Sequence, residues 1–277
     1  MNENRFVQNS EHNESATLEV ARPVGGVAVT AVERVLDIFE AFHKVQKPLS
    51  LTDLAEFISI PKSSCHAIVG TLLARGYLYS LTHPRSLYPT RRLLDIARAI
   101  HEKDPLVERF IPLLERMREA SRETVILGKR QGDAVIYLEV VESPNPIRYS
   151  AKPGEFKPLY SSSIGKALLG SLKETELRAQ VAKLMLTAIT RNTIIEPETL
   201  VNDVLESRRR GYFVTRGENV TDVWAVSTFL SVNSQILAVA IAGPQHRMEN
   251  NIIDCAQLLL STCSFISRQW ADPERRQ

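Results

Sequence analysis

Apolar residues recur at helical spacing along the first third of the chain. Val32, Val35, Leu36, Phe39 and Phe42 mark one face of a first helix. Leu51, Leu54, Ala55 and Ile58 mark a second, shorter one, with Ser50 as its N-cap and Asp53 placed three residues on, as in a capping box. Ser59-Ile60 breaks the pattern, and Pro61 suits the first turn of a third helix. Cys65, Ile68, Val69 and Leu72 form the apolar stripe of that helix, and Gly76 ends it. Two short strands, Tyr77 to Ser80 and Leu87-Tyr88, flank a turn over 82–86. Three helices followed by a two-stranded wing predict a winged helix-turn-helix over residues 27–90.

A different pattern follows. Residues 91–100 read as a linker helix with Leu93, Leu94, Ala97 and Ile100 on one side, giving a linker over 91–103. Asp104-Pro105 starts a helix that runs to about Arg122, with Leu106, Phe110, Leu113, Leu114 and Met117 inward. Strand-like runs over 124–130 and 134–141 flank Gln131-Gly-Asp133, a hairpin signal, and 147–149 is a further short strand candidate. Helices are predicted over 164–172, 176–186 and 197–210, the last closed by Gly211. Strands follow over 212–215, 224–230 and 236–241, with Asn233-Ser234 turning between the last two, and a final helix runs over 248–270. Antiparallel strands with flanking helices predict an α+β sensor-like domain over 104–272.

Composition places bounds on partners. The 277 residues suffice for two domains, and 44% hydrophobic with 24% charged residues is an ordinary globular balance. The net charge of +2 excludes a histone-like polycation, but it is unevenly spread. Residues 1–26 are polar, carry −2 and read as a disordered tail; residues 27–100 hold nine bases against six acids, or +3. No apolar run reaches the ~18–20 residues of a membrane span, and the N-terminus lacks a signal-peptide core. Cys65, Cys255 and Cys263 include no C-x-x-C pair. A cytoplasmic protein with buried thiols and no membrane association is the expectation.

The third helix carries the chemistry of the first domain. Lys62, Ser63 and Ser64 at its N-terminus suit phosphate contacts, while His66, Ala67 and Thr71 lie on the outward face, where His66 and Thr71 can reach base edges. Arg85 stands at the wing tip, and Ser50 opens the preceding helix. These residues are the candidate contacts to a double-stranded DNA operator; the alternative is a protein-interaction module that senses a small molecule without binding DNA.

The run from Leu51 to Tyr77, LTDLAEFISIPKSSCHAIVGTLLARGY, resembles the DNA-binding segment of IclR-type bacterial transcriptional regulators. It departs at Ser59, where relatives often carry Gly, and at Ala67, where they often carry Arg. Val140 to Ser143, Pro158-Leu159, Gly165 to Leu169, Arg209 to Tyr212 and Ala240 to Pro244 resemble that family's GAF-like effector-binding domain. The resemblance implies a non-enzymatic regulator that binds a palindromic operator as a homodimer, or a dimer of dimers, and responds to a small-molecule effector, with no cofactor and no metal. It places the effector among Leu127, Gly128, Ser161, Ser162, Ser163, Ile164, Thr215, Ala225, Ala240 and Ala242.

Ser161 to Ser163, at a helix N-terminus, is a plausible carboxylate seat, with simple capping as the bland alternative. The polar Cys and two Ser that relatives often place in this pocket are Ala225, Ala240 and Ala242 here, which argues against glyoxylate-sized acids and for a larger or more apolar effector. Ser163 and Lys166 match S-x-x-K, but the accompanying S-D-N and K-T-G motifs of that hydrolase class are absent. The six histidines are scattered and do not pair with Cys at metal-ligand spacing.

Overall fold

The computed structural model describes residues 30–83, 85–101 and 107–269. The tail over 1–26, the helix start at Asp104-Pro105 with Leu106, and Trp270 fall outside them. The chain divides into two compact units, cut between Leu113 and Leu114 within the helix Val107–Ser121.

The first unit holds α1 (Thr30–Val45), α2 (Leu51–Phe57), α3 (Lys62–Ala74), the antiparallel pair β1 (Leu78–Thr82) and β2 (Arg85–Pro89), and α4 (Arg92–His101). Its core gathers Ile38, Ala41 and Phe42 of α1, Leu54 and Ala55 of α2, Cys65, Val69 and Leu72 of α3, and Leu78 and Leu87 of the wing. Leu49 pairs with Leu87, which ties the approach to α2 onto the wing. The capping box at Ser50 forms: Asp53 N–H donates to the Ser50 hydroxyl at 3.1 Å, and Ser50 N–H to the Asp53 carboxylate at 2.9 Å. That pairing holds the Asp53 carboxyl below its usual range. Pro61 is the N-cap of α3 rather than part of its first turn.

The two helices of the motif end in the same way. At the end of α3, Gly76 has φ +71°, its N–H donates to Leu73 O, and Tyr77 N–H donates to Leu72 O. At the end of α2, Ser59 has φ +55°, its N–H donates to Glu56 O, and Ile60 N–H donates to Ala55 O. Both are left-handed caps, which favour glycine because a Cβ crowds the backbone there. The turn between α2 and α3 bends the chain by 114°.

The second unit contains the rest of α5 (Val107–Ser121), then β3 (Thr124–Gln131), β4 (Ala134–Val141), β5 (Phe156–Pro158), α6 (Ser163–Gly170), α7 (Glu174–Val181), α8 (Pro197–Arg210), β6 (Phe213–Arg216), β7 (Val223–Val232), β8 (Gln235–Pro244) and α9 (Gln245–Gln269). The strands form one antiparallel sheet in the order β5-β4-β3-β8-β7-β6. Asn233 and Ser234, at φ +48° and +61°, make the two-residue β7–β8 turn that matches strand twist.

Central strand β8 is buried on both faces. Ala238, Ala240 and Ala242 join Ile126, Tyr137, Ala225 and Phe213 against α6, α7 and α8. Leu237, Val239 and Ile241 alternate to the other face and are fully buried, and α9 packs on β7 and β8. The α+β class is as expected from the sequence.

Two expected elements differ. Residues 147–149 are not a strand: the carbonyls of Ile147 and Tyr149 accept hydrogen bonds from Arg247 (2.9 Å) and from the Thr124 hydroxyl (2.6 Å), and β5 takes the sheet edge beside β4. Helix α7 ends at Val181, short of the expected 186.

The left-handed Ser59 yields a stability test. Ser59→Gly removes a conformational cost of roughly 1 kcal/mol, so urea denaturation of the variant shows a helix-turn-helix more stable by about that amount.

Candidate nucleic-acid interface and ligand pocket

The outer face of α3 follows from its apolar stripe. With Cys65, Val69 and Leu72 buried, Lys62, Ser63, His66, Ala67, Gly70 and Thr71 are exposed and Ser64 is half-buried. Pro61 supplies no side-chain cap, while Cys65 N–H already bonds Pro61 O. The amides of Lys62, Ser63 and Ser64 are therefore left for an external acceptor such as a phosphate. His66, Ala67 and Gly70 make the outward surface small and smooth. The Thr71 hydroxyl donates to Ala67 O at 3.1 Å within its own helix, so a base contact through that proton requires it to turn. The Ser50 hydroxyl oxygen is occupied by its capping bond. Arg85 is exposed at the first position of β2, across from Thr82.

The second site is a cavity of about 30 Å³ between the sheet and the N-terminus of α6. At roughly 10–15 Å³ per water on this measure, it holds two or three water molecules. Seven of the expected residues come together around it: Ser161, Ser162, Ser163, Thr215, Ala225, Ala240 and Ala242. The floor is a sheet row, because Ala242 sits opposite Ala225 and Ala225 opposite Thr215 in the strand register.

Three expected residues do not line it. Ile164 packs beneath α6, where a Cβ on Gly128 would lie 3.0 Å from its Cγ2. Leu127 is buried one position out of phase with Ile126, and it is Ile126 that lines the cavity. Tyr137, Tyr149, Asn219, Val220 and Val223 complete the wall unanticipated. Strand alternation over 134–141 could have flagged Tyr137; nothing local marks Tyr149 or Asn219.

The polar groups differ in availability. The Ser162 hydroxyl caps α6, accepting from Gly165 N–H at 3.1 Å and donating to Pro158 O at 2.6 Å. Ser161 Oγ accepts from Asn219 Nδ2 at 3.1 Å, and the Ser227 hydroxyl donates to Ser163 O at 2.7 Å. The N–H groups of Ser163 and Ile164 have no intrahelical acceptor and sit at the positive end of the α6 dipole. Burial pushes the Tyr137 phenol well above its ordinary value, so it is a neutral wall group. Capping thus falls to Ser162, while the two amides that follow it are left open.

Behind the pocket, Lys166 is fully buried and pairs with Glu218 at 2.6 Å and Asp203 at 2.8 Å. Its Nζ is thus engaged by two carboxylates, and among the described residues no contact to Ser163 joins the two residues of the S-x-x-K match. Among the described residues no group of three or more His, Cys, Asp or Glu could hold a metal ion.

A family model for the IclR helix-turn-helix domain matches residues 31–81, and one for the bacterial transcriptional regulator IclR C-terminal domain matches 98–268. The chain belongs to the IclR family of transcriptional regulators. It is 31% identical to the HTH-type transcriptional regulator BhcR of Paracoccus denitrificans over 83% of this chain and 82% of that protein. It is 27% identical to the HTH-type transcriptional repressor AllR of Escherichia coli over 89% and 92%. The Thermotoga maritima IclR structure superposes with a TM-score of 0.75 at 22% identity, covering 88% of this chain and all of that one. An IclR homologue from Microbacterium hydrocarbonoxydans, complexed with 4-hydroxybenzoate, gives 0.68 at 20% identity, covering 87% and 99%. This IclR-family chain is accordingly a DNA-binding transcriptional regulator with a C-terminal effector domain. These named relatives are regulators rather than enzymes. Membership also decides against the protein-interaction alternative for α3.

The cluster of Lys166, Glu218 and half-buried Asp203 has a pH signature. Burial raises the Glu218 carboxyl above its usual range, against the pull of Lys166. A raised carboxyl binds its proton more tightly when folded, so this group's contribution to stability falls as pH rises through the folded value. Lys166→Met leaves Glu218 without its cation and costs roughly 3–5 kcal/mol at pH 7.5. Thermal melts of variant and wild type should converge as pH is lowered and Glu218 takes up its proton.

Proposed function

We propose that this regulator reads a palindromic operator as a homodimer, with α3 of each subunit in a major groove and Arg85 on the flanking backbone. The observation that carries this reading is the outer face of α3, where Lys62 and three uncapped amides stand at the end of a helix whose outward residues are small. One such helix buries little DNA, so two symmetric half-sites are needed for a specific affinity. We assign residues 27–90 to DNA binding, 91–103 to a linker and 104–272 to effector sensing. All residues of α4 over 92–100 are exposed, and Leu93, Leu94, Ile96 and Ile100 form an apolar surface suited to a second subunit. Two dimers can associate further through other faces. The buried free thiols of Cys65, Cys255 and Cys263 suit a reducing cytoplasm.

The effector in this reading is a carboxylate seated on the Ser163 and Ile164 amides. Its apolar body, larger than a two-carbon oxoacid, lies over Ala225, Ala240 and Ala242. The alanine floor offers contact area and no hydrogen bond. The 30 Å³ cavity is smaller than such a ligand, so binding requires the wall to open. The homologue complexed with 4-hydroxybenzoate supports the idea that this fold can take an aromatic carboxylate. To act as a switch, the effector must prefer one DNA-binding arrangement over the other.

Two measurements test the reading. Lys62→Ala should weaken operator and nonspecific DNA alike and flatten the salt dependence by about 0.9 per subunit; an unchanged slope removes Lys62 from the phosphate contacts. Isothermal calorimetry should show benzoate-type acids binding more tightly than glyoxylate or pyruvate. A small oxoacid with Kd below about 100 μM refutes the size assignment.

A further inference from the structure

The walls of the cavity are held in place very unequally. The Tyr149 side is fixed by a network: the Thr124 hydroxyl donates to Tyr149 O (2.6 Å), Arg247 donates to Ile147 O (2.9 Å), and the Ser143 hydroxyl and Asn145 amide both donate to Arg122 O (2.6 and 2.9 Å). Arg247 is itself paired with buried Glu123.

The opposite wall is the loop 217–222 between β6 and β7. Its base is equally well anchored. The Thr190 and Thr193 hydroxyls donate to Gly217 O (2.6 Å) and Glu218 O (2.7 Å), Asn192 donates to Arg216 O (3.1 Å), and Glu218 pairs with buried Lys166. The far end is held by Gln245 N–H on Asp222 O at 2.8 Å.

The tip is different. Among the described residues, Asn219, Val220 and Thr221 are joined to another segment by a single hydrogen bond, from Asn219 Nδ2 to Ser161 Oγ at 3.1 Å. Val220 lines the cavity and is also 42% exposed, so it stands at the mouth. Ser161, at the other end of the bond, is fully buried in the ligand seat.

We infer that residues 219–221 are the entrance gate of the effector pocket and that the Asn219–Ser161 hydrogen bond is its latch. Opening breaks one neutral bond while the base stays fixed, so the tip hinges and the pocket floor does not move. Opening also frees Ser161 Oγ to receive a ligand. The inference rests on the effector reading only for the identity of what enters; the gate itself can be measured without a ligand.

The test is the reactivity of a thiol placed in the floor. Ala225→Cys adds one atom to a pocket-lining residue. Labelling of the full-length protein with 5,5′-dithiobis(2-nitrobenzoate) then reports access to the cavity, with the wild-type protein and its buried cysteines setting the background. Adding Asn219→Ala should accelerate labelling about fivefold, the factor that corresponds to about 1 kcal/mol for a neutral hydrogen bond. Adding Thr124→Val, which releases the Tyr149 side, should leave the rate unchanged. Hydrogen exchange of the unmodified chain provides a second reading, with 219–221 opening faster than 143–150. Equal labelling with and without Asn219→Ala, faster labelling with Thr124→Val, or slower exchange over 219–221 than over 143–150 would each overturn the gate. A failed calorimetric assignment of the effector would alter none of these results, so the two inferences fail separately.

Discussion

The sensor domain depends on the two-sided burial of β8. A strand covered on both faces must supply side chains to two different neighbours, and strict alternation divides them. Leu237, Val239 and Ile241 fill the side shared with the α9 layer, while Ala238, Ala240 and Ala242 leave the other side shallow. Helix α6 packs over that shallow side, and its own glycines let its neighbours approach closely. A Cβ on Gly165 would lie 2.2 Å from Leu159 O, and one on Gly170 would lie 2.1 Å from the Phe213 ring. The helix is seated by the absence of side chains, and its N-terminus is brought over the alanines as a result.

From that seat the division of labour among neighbouring serines follows. Ser162 satisfies the helix end, Ser161 reaches the 217–222 loop, and the Ser163 carbonyl is taken by Ser227. Lys166, one turn into α6, is carried below the pocket into contact with Glu218 and Asp203. A buried cation between two carboxylates adds little net stability but strongly resists separation. It therefore fixes the loop base relative to α6, so the helix whose N-terminus borders the cavity and the loop that walls it share one anchor.

The DNA-binding unit shows how local rules can carry a fold even where one is broken. The capping box, the apolar stripe of α3 and the Gly76 cap all lie within a few residues of what they control, and each formed as the spacing implies. Ser59 occupies the equivalent left-handed cap of α2 without glycine's freedom. The hydrogen bonds of that cap and the packing of Leu54 and Cys65 around the turn hold it there. A local preference of about 1 kcal/mol is overridden by a core.

Most of the helices and strands, the α+β class, the outward face of α3 and the three serines at the start of α6 were legible in the sequence, because helix and strand periodicity and capping act over a few residues; the edge strand β5, misplaced to 147–149, was not. The pocket's composition was legible only in part. Ile126 rather than Leu127 faces the cavity, and a strand buried on both faces shows no polar alternation from which that phase could be read. Tyr149 and Asn219 were invisible for another reason. Their positions are set by bonds to Thr124, 25 residues away, and to Ser161, 58 residues away. Periodicity alone decided which faces of the chain are buried. Which distant side chains meet at the pocket, and how firmly each wall is held, was decided only when the sheet closed and brought those segments within hydrogen-bonding distance.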